Sequence, residues 1–237
     1  MITERLIEYQ HQGELLEGYL AYDDSKDTPM PGVMISHAWG GRDEFACNKA
    51  RAVAELGYIG FALDLYGKGV RGSGPEENSR LMKPFLEDRA KLQSRMTTSL
   101  DTFRTIPEVD SGRIAAMGFC FGGLCVLDLA RIGTDLRGVI SVHGLFAPPG
   151  NTMGTGIKAK VLCLHGHNDP MGPVDSVVAL EQELTDADAD WQVHVYGHTV
   201  HAFTNPHAND TKRGTVYNRD ADRRSWSAIR NFLLEVL

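Results

Sequence analysis

Five short runs with continuous apolar centres constrain this chain's fold more than any other feature. They are "GVMISH" (32–37), "YIGFALDLY" (58–66), "GRIAAMGF" (112–119), "LRGVISVHG" (136–144) and "KAKVLCLHG" (158–166). A strand with one wet face alternates apolar and polar residues, whereas a strand covered on both faces reads as an unbroken apolar run. Between and after these runs lie segments with helical spacing. They are "DEFACNKARAVAEL" (43–56, stopped by Gly57), residues 79–106 with an interruption expected near Pro84, "GGLCVLDLARI" (122–132) and "PVDSVVALEQEL" (173–184). "DWQVHVYG" adds a strand, and "DADRRSWSAIRNFLLEVL" an amphipathic C-terminal helix. Strands alternating with helices predict an α/β fold, a mostly parallel, doubly wound sheet with helices on both faces. At the N-terminus, "RLIEY" and "LLEGYLAY" flank a His11-Gln12-Gly13 turn and predict an antiparallel hairpin.

The 237 residues suit a single domain, 1–237, with no repeat or linker. A formal net charge of −7 without a basic cluster argues against nucleic acid and against an anionic membrane surface as partners. The N-terminal stretch has no apolar signal core, and the four cysteines lack metal-ligand spacing, so a reduced, cytoplasmic protein is expected. The glycine-rich stretch 67–78 reads as a long surface loop.

In open α/β sheets, ligands lie beyond the carboxyl ends of the strands. "GFCFGG" (118–123) stands at such an end and has the form Gly-x-nucleophile-x-Gly. The glycines let the chain turn from strand to helix within a few residues while residue 120 takes a strained backbone. The helix N-terminus favours thiolate over thiol. Cys120 as small core filler is the competing reading, and its partners must decide.

After the next two strands come "HGHNDP", with Asp169, and "HTVHAFTNP", with His198 and His201. The order nucleophile, acid, histidine is that of α/β-hydrolases. Asp169 could instead cap the helix starting near Pro173, and His165 and His167 are rival bases on the acid's own loop. For an oxyanion, one backbone N–H comes from Phe121, directly after the nucleophile. A second is expected from Trp39 in the loop "HAWGG", where Gly40-Gly41 keeps the chain low.

Together "GFCFGG", "HGHNDP", "HAFTNP" and "HAWGG" resemble the dienelactone hydrolase family of cysteine-dependent α/β-hydrolases, over roughly residues 12–237. The resemblance implies Cys120 as nucleophile, Asp169 as orienting acid and His201, heading His-Ala-Phe, as base. Two departures stand out. The family's glutamate in the oxyanion loop is here Ala38, so Cys120 is expected to pair directly with His201 at rest. An arginine that follows the family's histidine and holds the substrate carboxylate has Asn205-Pro206 in its neighbourhood; Arg42, Arg71 and Arg80 are candidate replacements.

The expected activity is hydrolysis of a small ester or lactone through a thioester acyl-enzyme, with no metal or organic cofactor. The alternatives are an acyltransferase using the same residues, and a thiol sensor or binding protein on a hydrolase fold.

Overall fold

A two-residue loop between antiparallel strands follows their twist in the primed turns, and the type I′ turn takes positive φ at both residues. Gln12 (φ 51°) and Gly13 (φ 84°) do so, joining β1 (Ile2–His11) to β2 (Glu14–Asp23) in the expected hairpin. The computed structural model describes residues 1–27, 29–152 and 156–237, and its backbone contacts fall into two units, Met1–Met117 and Gly118–Leu237.

In the first unit, β3 (Met30–Ser36) leads through α1 (Glu44–Glu55) to β4 (Ile59–Ala62), and β3 and β4 are parallel. Asp43 caps α1 by accepting from the Ala46 N–H at 3.0 Å. Then come α2 (Pro75–Glu87), α3 (Arg89–Arg104) and β5 (Val109–Phe119), whose last two residues belong to the second unit. The strand order is β1-β2-β4-β3-β5. Adjacent residues of β4 show how its two faces are covered. A Cβ on Gly60 would lie 2.3 Å from the Ala50 carbonyl oxygen of α1, whereas Phe61 stacks on Phe103 of α3 at 5.1 Å. α1 and α3 therefore pack on opposite faces.

Two boundaries differ from the sequence expectation. β4 stops at Ala62, because the Asp64 carboxylate accepts from the Tyr66 and Gly67 N–H groups and bends the chain. The interruption expected near Pro84 falls at Asp88, and Pro84 itself stays inside the end of α2. The Asp88 amide closes α2 onto the Pro84 carbonyl, and its carboxylate caps α3 at the Lys91 N–H, 2.9 Å away. A residue that serves both helices decides the break. The 67–78 loop is also shorter than expected, since Pro75 opens α2, where a proline's missing donor costs nothing.

The second unit holds α4 (Phe121–Arg131), β6 (Gly138–Val142), β7 (Lys160–Gly166), α5 (Val174–Asp186) and β8 (Trp191–Tyr196). After these come β9 (Asn209–Asp210), β10 (Thr215–Val216) and α6 (Arg219–Val236). β6, β7 and β8 are parallel neighbours. Gly138 of β6 lies under Phe232 of α6, and Ser141, three residues on, lies under Gly123 of α4. The odd spacing puts these helices on opposite faces of the strand. Among the described residues no helix is long and apolar enough to cross a membrane.

Candidate active site

Between β5 and α4 a single residue makes the whole turn. Cys120 has φ 56° and ψ −118°, a conformation that L side chains rarely adopt. The local sequence makes it reachable. A Cβ on Gly118 would lie 1.9 Å from the Gly122 carbonyl oxygen, and one on Gly123 2.6 Å from Ser141 Oγ. Phe121 then opens α4, and first-turn amides of a helix point outward along its axis. Cys120 is half-exposed, while Cys47, Cys125 and Cys163 are buried. Burial pushes Cys163 up to about 12 and also raises Cys47, marking them as inert core thiols.

The loop after β7 carries Asp169, and its carboxylate is buried. One oxygen accepts from the Met171 N–H at 2.8 Å, and the other lies 2.7 Å from His201 Nδ1. It does not cap α5, whose first turn has Pro173 before it and no side-chain cap. Close packing of the two loops sets this geometry. The Asn168 N–H donates to the Thr199 carbonyl at 2.9 Å, and a Cβ on Gly166 would lie 2.6 Å from the same oxygen. His201 is anchored in turn by β10: its N–H donates to the Gly214 carbonyl, and its carbonyl accepts from the Val216 N–H. Two-residue strands such as β9 and β10 leave no periodicity in a sequence, so this support was not legible there.

His201 is 1 % exposed, and its Nε2 has no nitrogen or oxygen partner. Burial disfavours charge on the ring. The electrostatic influence and hydrogen bonding of Cys120 and Asp169 outweigh it and push His201 up to about 10. Its rivals sit differently. His198 and His167 are exposed. His165 is buried, lies 2.7 Å from the Gly172 carbonyl through Nε2, and is held below the ordinary histidine range by burial.

One residue of this neighbourhood was missed from the sequence. His143, directly after β6, accepts the Cys120 N–H at Nδ1 (3.1 Å) and meets Thr204 Oγ1 at Nε2 (2.9 Å). The available signal was a histidine followed by glycine at the end of an apolar strand, on the same edge as the other motifs. A cavity of about 880 Å³ in this unit, lined by Arg131, Phe146, Ile157, Leu180 and Glu183 among others, includes none of the residues above. Its Arg131 is engaged by Glu183, Asp128 and the Phe146 carbonyl, which makes it part of the scaffold.

The remaining site candidates divide. In the first unit, Trp39 is half-buried and its carbonyl accepts from the Tyr66 hydroxyl at 2.9 Å. Arg42 is buried and donates to Glu17 at 2.8 Å and to the Cys47 sulfur at 3.7 Å. Arg71 is exposed; Arg80 is exposed and pairs with Glu77 at 3.4 Å. In the second unit, Asn205 accepts from the His207 N–H and closes a local turn.

The model of the dienelactone hydrolase family matches residues 16–237. The chain belongs to that family. It is 34% identical to m3DLH, with a TM-score of 0.95 over 100% of this chain and 99% of that one. A dienelactone hydrolase-like promiscuous phosphotriesterase from metagenomic libraries is 33% identical, with a TM-score of 0.93 over 99% and 98% of the two chains. An uncharacterised Caenorhabditis elegans protein is 35% identical over 153 residues, 61% of this chain and 94% of that protein. The fold is thus the expected α/β-hydrolase fold, and the family is one of carboxylic ester and lactone hydrolases.

Proposed function

We propose that Cys120, His201 and Asp169 are the nucleophile, base and orienting acid of a hydrolase for small carboxylic esters or lactones. The observation that carries this reading is the buried His201. Asp169 occupies one ring nitrogen at 2.7 Å, the other has no nitrogen or oxygen partner, and Cys120 acts on the ring electrostatically. Such an arrangement suits thiol activation and leaves one ring nitrogen to handle protons of the reaction.

The resting pair is a thiolate and an imidazolium. The sulfur attacks the carbonyl carbon, and the oxyanion is met by the Phe121 amide, with the Trp39 amide as the second donor expected from sequence. The tetrahedral intermediate collapses: the C–O bond breaks, His201 gives its proton to the leaving alkoxide, and a thioester remains. Forming the thioester removes the sulfur's charge. His201 thereby loses one of the two influences that held its proton, and it becomes a base able to take a proton from water. Hydroxide adds to the thioester, the C–S bond breaks, the acid leaves, and the His201 proton stays to pair with the restored thiolate. Ala38, where the family carries a glutamate, is the sequence feature from which direct pairing of Cys120 with His201 is expected.

The test is a panel of p-nitrophenyl esters, small lactones and an aryl dialkyl phosphate, with wild type, Cys120→Ser and Cys120→Ala. The phosphate is included because of the promiscuous phosphotriesterase relative. The reading expects ester or lactone turnover, a trapped thioester by mass spectrometry, and loss of turnover by about 10³-fold or more in Cys120→Ala. Turnover in Cys120→Ala near wild type, or transfer to an added alcohol in place of hydrolysis, would count against it.

A further inference from the structure

The turn after β6 touches every loop that carries a member of the proposed triad or the strand leading to it. His143 takes a left-handed backbone (φ 38°), and its N–H donates to the Leu164 carbonyl of β7 at 2.8 Å. Its ring is buried, with an edge-on contact to His201 and another to Phe203, each at 5.2 Å between centroids. Nδ1 accepts the Cys120 N–H at 3.1 Å, a proton shared with the Val142 carbonyl at 3.1 Å. An Nδ1 that accepts must lack a proton, so the neutral ring carries its hydrogen on Nε2. That hydrogen points to Thr204 Oγ1 at 2.9 Å, a buried hydroxyl three residues beyond His201.

We propose that His143 is a positioning residue: as a neutral imidazole it fastens the Cys120 elbow to the Thr204 hydroxyl and so sets the separation of nucleophile and base. The inference rests on Cys120 and His201 filling those two roles. Both loops carry left-handed residues, Cys120 at φ 56° and Ala202 at φ 57°, and a strained turn persists only where its surroundings determine it. Neither polar atom of the ring is spent on the strands. One goes to the nucleophile's own amide, and the other goes to the base's loop. Reaction rates fall steeply with small misplacements of reacting groups, so a bond between these loops acts on kcat.

The test uses the full chain with Thr204→Val, Thr204→Ser, His143→Asn and the double variant His143→Asn/Thr204→Val. Asparagine tolerates left-handed backbone and offers its Oδ1 to the Cys120 N–H, but it is too short to reach Thr204. Measured are kcat and KM for a p-nitrophenyl ester, and Tm. Thr204→Val and His143→Asn are each expected to lower kcat about tenfold with KM within about twofold. The double variant falls no further than either single one, and Thr204→Ser restores kcat. The proposal is overturned by a wild-type kcat in Thr204→Val, by Thr204→Ser falling as far as Thr204→Val, or by multiplicative losses in the double variant. If His143→Asn does not fold, the Thr204 pair decides alone. Cys120→Ala and His201→Ala in the same assay separate the two readings. Their retaining turnover removes the triad; their inactivity beside a wild-type Thr204→Val removes only the role of His143.

Discussion

Each unit of the molecule buries a histidine and an aspartate in the loops that follow its strands, and only one pair is left unfinished. In Met1–Met117, His37 spends both ring nitrogens. Nδ1 donates to the Ala38 carbonyl at 2.6 Å, and Nε2 accepts from the Leu65 N–H at 3.3 Å. Asp64 is equally occupied, accepting from the N–H groups of Glu17, Tyr66 and Gly67. Burial holds His37 below the ordinary histidine range. In Gly118–Leu237, Asp169 shares its oxygens between a backbone N–H and His201, His201 Nε2 has no nitrogen or oxygen partner, and the neighbouring Cys120 and Asp169 push the ring up to about 10. Residue types and burial are alike in the two pairs. What sets the pair proposed for chemistry apart from the scaffold pair is a ring nitrogen, His201 Nε2, with no nitrogen or oxygen partner.

The sharpest way to break this comparison is to exchange each histidine for glutamine. His201→Gln is expected to lower kcat/KM by about 10³-fold or more while leaving Tm nearly unchanged. His37→Gln should do the reverse: it strands buried backbone groups at a cost of about 2 kcal/mol, or roughly 4–8 °C in Tm for a chain of this size. Steady-state kinetics beside calorimetry reads both. If His37→Gln loses as much activity as His201→Gln, spent and unspent histidines are not distinct classes here.

The aspartates extend the contrast on a smaller scale. Asp169→Asn puts an amide beside His201 Nδ1 and favours the wrong ring tautomer, so kcat should drop by about 10²–10³-fold with KM little changed. Asp64→Asn places an amide N–H against one of three backbone donors, so the expected result is a loss of about 1–3 kcal/mol in a denaturant titration.

Why does the sequence mark out the residues proposed as a triad and not the contacts around them? Gly118 and Gly123 are steric necessities, and necessities of this kind leave residue types behind at fixed spacing. The alternation of apolar runs and helical segments likewise follows from burial on two faces, which is why the strands and the N-terminal hairpin were readable. Asp64 shortening β4 and Asp88 placing the helix break depend on which backbone N–H a short carboxylate reaches, and spacing does not encode that. His143 was hidden for a related reason. Its two partners, Cys120 and Thr204, lie 23 and 61 residues away in the chain. Only the fold brings them to one ring.

Acidity separates the pairs next. The folded value of His201 lies above its ordinary 6.5, so protonation of the ring adds stability that is complete below about 6.5 and is lost as pH climbs through about 10. His37 has the opposite sign: its folded value is depressed, so it favours the fold above about 6.5, and protonation opposes the fold as pH falls below that value. NMR titration of labelled histidines should show His201 charged through neutral pH in wild type and falling when iodoacetamide caps Cys120. Alkylation of Cys120 should remain rapid and nearly flat across about pH 6–8. A rate that climbs tenfold per pH unit through that range contradicts the resting ion pair.

The smallest effects concern backbone strain, and they sharpen the same distinction between scaffold and site. Gln12 (φ 51°) and Ala202 (φ 57°) both hold left-handed conformations that cost an L-residue about 1 kcal/mol relative to a residue suited to them. Gln12 lies in the hairpin turn and Ala202 follows His201, so relief of strain should have different consequences. Gln12→Asn, which gives the favoured Asn-Gly turn, is expected to raise stability by about 0.5 kcal/mol and leave kinetics unchanged. Ala202→Gly should stabilise by a similar or slightly larger amount. It also frees the residue after His201 to sample other backbone states, so kcat should fall about two- to fivefold. Were Ala202→Gly to stabilise with no loss of kcat, the strain beside His201 would be a turn requirement like that of Gln12, and the positioning of His201 would rest on Asp169, Thr204 and the β10 anchor alone.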